Sequence, residues 1–241
     1  MSFSVSSFWR YMPPVVKNIL IINIILFIAT FVLNRFNINL YDILGMHYWQ
    51  AGKFNIMQLV SYMFMHGSIG HIFFNMFALF MFGGLLERTW GARRFLLYYM
   101  VTGIGAGIIQ QIIWTIDFKP FIDEITTIVN SGNSVNVNGV IINSILEIKA
   151  LFNNPITVGA SGSVFGVLLA FGWLFPQVEL YMLFIPIPIK ARLAVAIYAF
   201  VELFFGVANF SWDNIAHFAH LGGMLFGAIL IVIWRGKKFK V

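Results

Sequence analysis

The chain has 241 residues, 60% of them hydrophobic and only 10% charged, against about 25% charged in an ordinary soluble domain. It has no cysteine, which excludes disulfides, cysteine nucleophiles, thiolate metal sites and iron–sulfur clusters. The net charge of +6 would suit a nucleic-acid partner, but topology explains it below without one.

Residues 1–14 form a short polar and aromatic lead with Arg10, ending at Pro13-Pro14. The apolar run from Val15 to about Asn34 has no small-residue cleavage site after it, so it reads as a first spanning helix and not as a signal peptide. It is long enough, since about 20 residues cross a bilayer core. Residues 35–57 hold Tyr41, His47, Tyr48, Trp49 and Phe54, a composition that predicts an interfacial loop. A second span is expected over about 70–87 and a third over about 95–116, joined by a charged turn from Glu87 to Arg94. Residues 117–156 are more polar and predict an outer loop, with a short helix near 140–152. The fourth span is expected from about Ile156 to Phe175. Pro186 and Pro188 forbid an uninterrupted helix at 185–190. The fifth and sixth spans are expected over about 191–208 and 215–234, and residues 236–241 form a basic tail.

The expected fold is therefore an all-α membrane bundle, a domain over 15–235 with six spans. Six spans divide the basic residues unequally. Eleven, namely Arg10, Lys17, Arg88, Arg93, Arg94, Lys190, Arg192, Arg235, Lys237, Lys238 and Lys240, fall on one side. Arg35, Lys53, Lys119 and Lys149 fall on the other. The positive-inside rule then assigns both termini to the cytoplasm, in the plasma membrane if the chain is bacterial.

In this topology the second, fourth and sixth spans all start on the outer side. They deliver His71 and Asn75, Ser161, and His217 and His220 to one shallow layer. Intramembrane polar side chains are costly and point to function. Gly162 to Gly166 and Gly223 to Gly227 are both GxxxG pairs, which let helices approach closely. If those faces meet, Ser161 lies beside His220. A neutral imidazole could then take the serine proton. The Ser161 backbone N–H, His71 and Asn75 could stabilise the oxyanion. Glu202 stands alone in the fifth span and Asp213 falls in a loop, so a dyad without an acid is expected.

These residues resemble the rhomboid intramembrane serine proteases. The resemblance rests on Gly159-Ala160-Ser161-Gly162, on Ala219-His220-Leu221-Gly222-Gly223 with Gly227, on His66, His71 and Asn75, and on Glu87-Arg88-Thr89-Trp90-Gly91. It covers about 55–115 and 156–230. It implies Ser161 as nucleophile, His220 as general base, and His71 with Asn75 as oxyanion partners. It also implies transmembrane protein substrates cut near their outer ends, and no metal or cofactor. The chain departs from the family in having Trp49-Gln50 where many members carry a Trp-Arg pair in the first outer loop, and in the length of its 117–156 segment.

Several other readings compete. Ser161 could be a small packing residue at a helix crossing. Ser163 lies about 200° around the helix from it and so points elsewhere. His217 could replace His220 as base. His66 is expected to cap or tie down the outer loop, His47 to lie at the interface, and Glu87 to anchor the inner turn through Arg88, Arg93 or a backbone N–H. A catalytically silent binder of transmembrane clients would be expected to have lost Ser161 or His220. A metal site using His66, His71, His217 and His220 would lack HExxH and a neighbouring carboxylate. A transporter would more often show repeats.

Overall fold

The computed structural model describes residues 11–137, 139–182, 185–208 and 215–235. The chain begins with helix α1 (Pro14–Asn34), then α2 (Leu40–Leu44), strand β1 (Met46–His47) and α3 (Gln58–Ser61). Helices α4 (Ile69–Trp90) and α5 (Ala92–Asn130) follow. A hairpin of β2 (Val135–Val137) and β3 (Val140–Ile142), helix α6 (Ile145–Leu151) and β4 (Ile156–Thr157) lead to α7 (Ser161–Leu174). The hairpin β5 (Glu179–Met182) and β6 (Ile185–Lys190) then leads to α8 (Ala191–Ala208) and α9 (His217–Arg235). Helices α1, α4, α5, α8 and α9 are long and apolar enough to cross a membrane, and α7 is a shorter apolar helix of 14 residues. The tails at 1–10 and 236–241 lie outside the described residues, as do Asp213 and most of the segment before α9.

Apolar and polar side chains are distributed as a bilayer requires. Ile21, Ile25, Ile28 and Phe31 of α1 and Phe200, Leu203 and Phe204 of α8 are exposed. Asn23, Thr30, Thr102, Gln110 and Ser163 are buried. Hydrocarbon cannot hydrogen-bond, so polar groups turn inward and find acceptors there. Thr30 Oγ1 donates to Leu26 O at 2.8 Å and Asn23 Nδ2 to Ile19 O at 2.7 Å.

Helix α1 starts with Pro14, whose missing N–H costs nothing at that position. The next two N–H groups donate to Glu87, Val15 N to Oε1 at 2.9 Å and Val16 N to Oε2 at 2.8 Å. Glu87 therefore takes backbone N–H groups, one of its two expected partnerships, but those of α1 and not of its own turn. The predicted charged turn contracts to Gly91 alone, whose φ of 80° ends α4 before α5 begins at Ala92.

The prediction of a long outer loop over 117–156 is corrected. Helix α5 continues without a break to Asn130. Its 39 residues rise about 58 Å at 1.5 Å each, well beyond the roughly 30 Å hydrocarbon core. The extension has its own apolar stripe: Phe118 meets the rings of Tyr48, Trp114 and Phe152, and Ile125 is 2% exposed. Packing against residues distant in sequence overrides the local polarity and Pro120. The 35–57 segment is likewise more ordered than an interfacial loop. His47, expected at the interface, is fully buried, with its ring nitrogens against Asn153 O at 2.8 Å and Asp42 O at 3.1 Å. Its strand β1 pairs antiparallel with β4, Met46 opposite Thr157 and His47 opposite Ile156.

That pairing also corrects the start of the fourth helix. Residues 156–157 are strand, and α7 begins at Ser161 itself rather than a turn earlier. The four packing glycines divide their work differently from the expected α7–α9 seam. A Cβ at Gly223 would collide with the carbonyl of Gly162, so this pair does set the α7–α9 contact. Gly162 itself faces Ala106 on α5, Gly166 faces Thr102, and Gly227 faces Tyr98, whose hydroxyl donates to Gly166 O at 2.8 Å. The glycines thus seat α7 and α9 on α5 as well as on each other.

Candidate active site

Ser161 is the first residue of α7. The opening N–H groups of a helix have no intrahelical acceptor, so the backbone here presents donors beside the Ser161 hydroxyl. Gly159 precedes it with φ of 135°, a conformation that disfavours any side chain. Its N–H donates to Tyr62 O at 3.0 Å. A Cβ at Gly159 would lie 2.7 Å from Nε2 of His71. The backbone angle is what requires glycine here, and any side chain would in addition displace the imidazole of His71.

The Oγ of Ser161 lies 2.8 Å from Nε2 of His220. The seam between Gly162 and Gly223 makes this possible, since it brings the α9 backbone to within contact of α7. The His220 ring is stacked on Phe165, with centroids 4.4 Å apart and planes 7° apart. Phe165 is one turn beyond Ser161 on the same helix, so one element presents the hydroxyl and also holds the face of the ring. In the sequence Phe165 is one of 27 phenylalanines, and only its spacing of four from Ser161 sets it apart.

Glu202 is the larger departure from expectation. It does not stand alone in its span. Its Oε2 is 2.9 Å from Nδ1 of His220 and 2.6 Å from Nδ1 of His217. All three residues are buried. The expectation that no acid reaches the site is overturned: α8 packs against α9 and delivers this carboxylate behind the histidine. A single carboxylate within an apolar span is itself a functional signal. Its angular position relative to α9 is not legible in the sequence.

The remaining predicted residues lie nearby with different degrees of engagement. Ser68 Oγ caps α4 by accepting from His71 N at 3.1 Å. His71 and Asn75 line the same cavity as Ser161 and His220. The Asn75 amide donates to His71 O at 2.9 Å, a local bond within the helix. Ser163 turns away and donates to Tyr99 O at 2.8 Å. His66 does not tie down the loop through its ring: neither ring nitrogen has a hydrogen-bond partner among the described residues. Its ring packs edge-on against His71 at 4.9 Å, and its carbonyl accepts from Tyr41 Oη at 2.9 Å. Burial, and then the neighbouring His71, push the pKa of His66 down to about 3.

The cavity has a volume of about 1130 Å³. Phe74, Ala78 and Met81 of α4 line one side, and Ala194, Val195 and Tyr198 of α8 line another. Glu202, His217 and His220 also present ligand-type atoms within 4.8 Å of one another. Two of the separations, 2.6 and 2.9 Å, are those of hydrogen bonds. Tetrahedral ligands about 2.0 Å from a zinc ion would stand about 3.3 Å apart, so the trio has the spacing of a hydrogen-bond network and does not fit a bound ion without rearrangement.

Chemically, the arrangement offers a hydroxyl paired with an imidazole, backbone donors at a helix start, and an apolar cavity reached from the helix bundle. The sequence model of the Rhomboid domain matches residues 53–119 and 125–237. The chain is similar to Rhomboid-like protein 11, chloroplastic, of Arabidopsis thaliana, 27% identical over 188 residues that cover 76% of this chain and 53% of the relative. It is similar to Rhomboid protein 1, mitochondrial, of Saccharomyces cerevisiae, 26% identical over 173 residues covering 72% and 40%. A shorter stretch of 68 residues, 27% of this chain and 35% of the relative, is 34% identical to Rhomboid protease GlpG of Haemophilus influenzae. The chain spans about half the length, or less, of these relatives. The family model covers most of the chain, from before α3 into the residues after α9, and on that match the protein belongs to the rhomboid family.

Proposed function

We propose that this chain is an intramembrane serine endopeptidase that cuts transmembrane segments of membrane proteins near their outer ends. The observation that carries the reading is the 2.8 Å contact between Ser161 Oγ and His220 Nε2 at the wall of a cavity between membrane helices. His220 accepts the hydroxyl proton through Nε2 as Oγ attacks the scissile carbonyl carbon. The developing oxyanion is met by the backbone N–H of Ser161 and by His71 and Asn75, once Asn75 releases its local bond. His220 then passes the proton to the leaving amine, and water resolves the acyl-enzyme by the same steps in reverse order. None of these steps calls for a metal or cofactor.

The membrane arrangement belongs to the same proposal. Helix α7 is the fourth of six spanning segments, short at 14 residues and packed against α5 and α9. Both termini lie on the cytoplasmic side, and the site opens toward the outer side. The domain covers residues 15–235, with its outer insert now beginning after Asn130. Two relatives are named for chloroplast and mitochondrion and one comes from a bacterium, so family membership by itself assigns no particular membrane. A substrate helix would approach between α4 and α8, two of the helices whose side chains line the cavity.

The test is reconstitution in proteoliposomes with a model transmembrane substrate. Wild type should cut it, and Ser161→Ala should reduce the rate by at least about 10⁴-fold, as loss of a nucleophile does. Cleavage by Ser161→Ala at the wild-type rate would refute the reading. Client binding by a wild-type protein that does not cut would favour a catalytically silent rhomboid.

A further inference from the structure

Two histidines on α9 share one carboxylate oxygen on α8. Oε2 of Glu202 is 2.6 Å from Nδ1 of His217 and 2.9 Å from Nδ1 of His220. Such an oxygen, ionised, has acceptor capacity for two N–H donors. The far nitrogen of His220 faces the Ser161 hydroxyl at 2.8 Å. An imidazole whose Nδ1 donates to a carboxylate carries its lone pair on Nε2, and that is the tautomer needed to accept the serine proton. The alternative tautomer would set the Nδ1 lone pair against the carboxylate, which is repulsive, and would turn an N–H toward Ser161, whose hydroxyl could accept it but could no longer give up its proton there.

We infer that Glu202 is the third, positioning member of the site, which fixes His220 as the Nδ1–H tautomer and ties the catalytic base to the position of α8. The inference rests on the protease reading above and extends it. The proton balance is simple. The Ser161 proton moves to His220 Nε2 as the Oγ–carbon bond forms, while the Nδ1 proton stays on the ring. The imidazolium so formed faces an ionised Glu202 that itself exchanges no proton. The ring later gives the Nε2 proton to the departing amine nitrogen.

The placement of Glu202 on α8 has a mechanical consequence. The other buried residues of that helix, Ala191, Ala194 and Val195, lie in its first five positions. Beyond them, Glu202 is the one buried residue among those described. The half of α8 nearer its C-terminal end meets α9 through this carboxylate, through Phe205, whose ring lies 5.7 Å from that of His217, and at Gly206, which faces Phe218 and His217 closely; Tyr198, one turn before Glu202, lines the cavity that a substrate would enter. Swinging that half outward lengthens the Glu202–His220 contact. The base is set correctly when α8 is seated and released when α8 opens. His217 holds the second lone pair of the same oxygen and keeps the carboxylate oriented when α8 is closed.

The experiment compares wild type, Glu202→Gln, Glu202→Asp and His217→Ala in one reconstituted cleavage assay, with thermal unfolding of each and ¹⁵N NMR of the histidine side chains in detergent. The titratable groups facing His220 are Glu202 from α8, His217 on its own helix and His71 from α4, so kcat is followed across pH for each variant. Glu202→Gln is isosteric and can still accept one hydrogen bond, but its amide can also present N–H to Nδ1 and stabilise the wrong tautomer. It should lower kcat by about 10²-fold or more with KM little changed. Glu202→Asp should recover part of that loss, and His217→Ala should lose less than Glu202→Gln. In the NMR arm, His220 should be protonated at Nδ1 in wild type and lose that preference in Glu202→Gln. A Glu202→Gln protein that keeps kcat within about threefold, or a His220 tautomer indifferent to Glu202, overturns the inference. If wild type cuts nothing, the protease reading fails, and the NMR arm still decides whether Glu202 sets the ring.

Discussion

Replacing Gly223 with alanine tests the link between helix packing and chemistry. A Cβ at this position would collide with the carbonyl group of Gly162. Carbon and oxygen need about 3.5 Å, so α7 and α9 must separate by on the order of 1 Å, because a close-packed interior transmits such strain and does not absorb it. Gly162 is the immediate neighbour of Ser161, and His220 lies one turn before Gly223. The separation therefore reaches the Ser161–His220 contact, which is 2.8 Å now and which a lengthening of about 1 Å takes past the limit of a useful hydrogen bond. A misplacement of about 1 Å costs on the order of 10²-fold in rate. The assay is single-turnover cleavage in proteoliposomes, with serine labelling by a fluorophosphonate as a second readout. Gly223→Ala should lose about 10²-fold in both, in a protein that still unfolds cooperatively. Wild-type rates from a folded Gly223→Ala protein would show that the α7–α9 seam does not control the distance between the two groups.

Two further outcomes follow from the same geometry. His71→Ala should lower kcat by about 10²- to 10³-fold as a lost oxyanion donor, with fluorophosphonate labelling of Ser161 weakened but not abolished; an unchanged kcat would remove His71 from the site. Buried His66 stays neutral in the folded protein down to about pH 3, whereas its ordinary value is 6.5. Between those values the unfolded chain binds a proton that the folded one does not, so this contribution to stability is complete above about pH 6.5 and is lost as pH falls. At pH 5 the loss is about 2 kcal/mol, and a His66→Phe variant should show a shallower acid decline in melting temperature; parallel declines would count against the assignment.

Much of the site is legible in the sequence because the cost of polarity in a membrane is local. Ser161, His71, Asn75 and His220 are polar residues in apolar runs, and run lengths with the basic bias predict one shallow depth for them. The segments that the sequence misrepresents are those decided by distant partners. Residues 117–130 read as loop because they carry Asp117, Asp123 and Glu124 and run into the polar tract from Asn130 to Ser134. They are helix because Phe118, Ile122 and Ile125 pack against Tyr48, Phe152 and their neighbours. His47 reads as interfacial for the same reason: nothing near it in sequence announces that Asn153, on a different segment, offers its carbonyl.

Sequence alone determined that this is a membrane protein, since hydropathy and costly polar residues are properties of single segments, and its motifs carried the resemblance to the rhomboid family. The tertiary structure decided how those segments face one another. Glu202 and His220 are 18 residues apart on different helices, and their contact depends on the rotation of α8 about its own axis when it packs on α9. That angle is set by the shapes of both helices together. No periodicity within either one contains it.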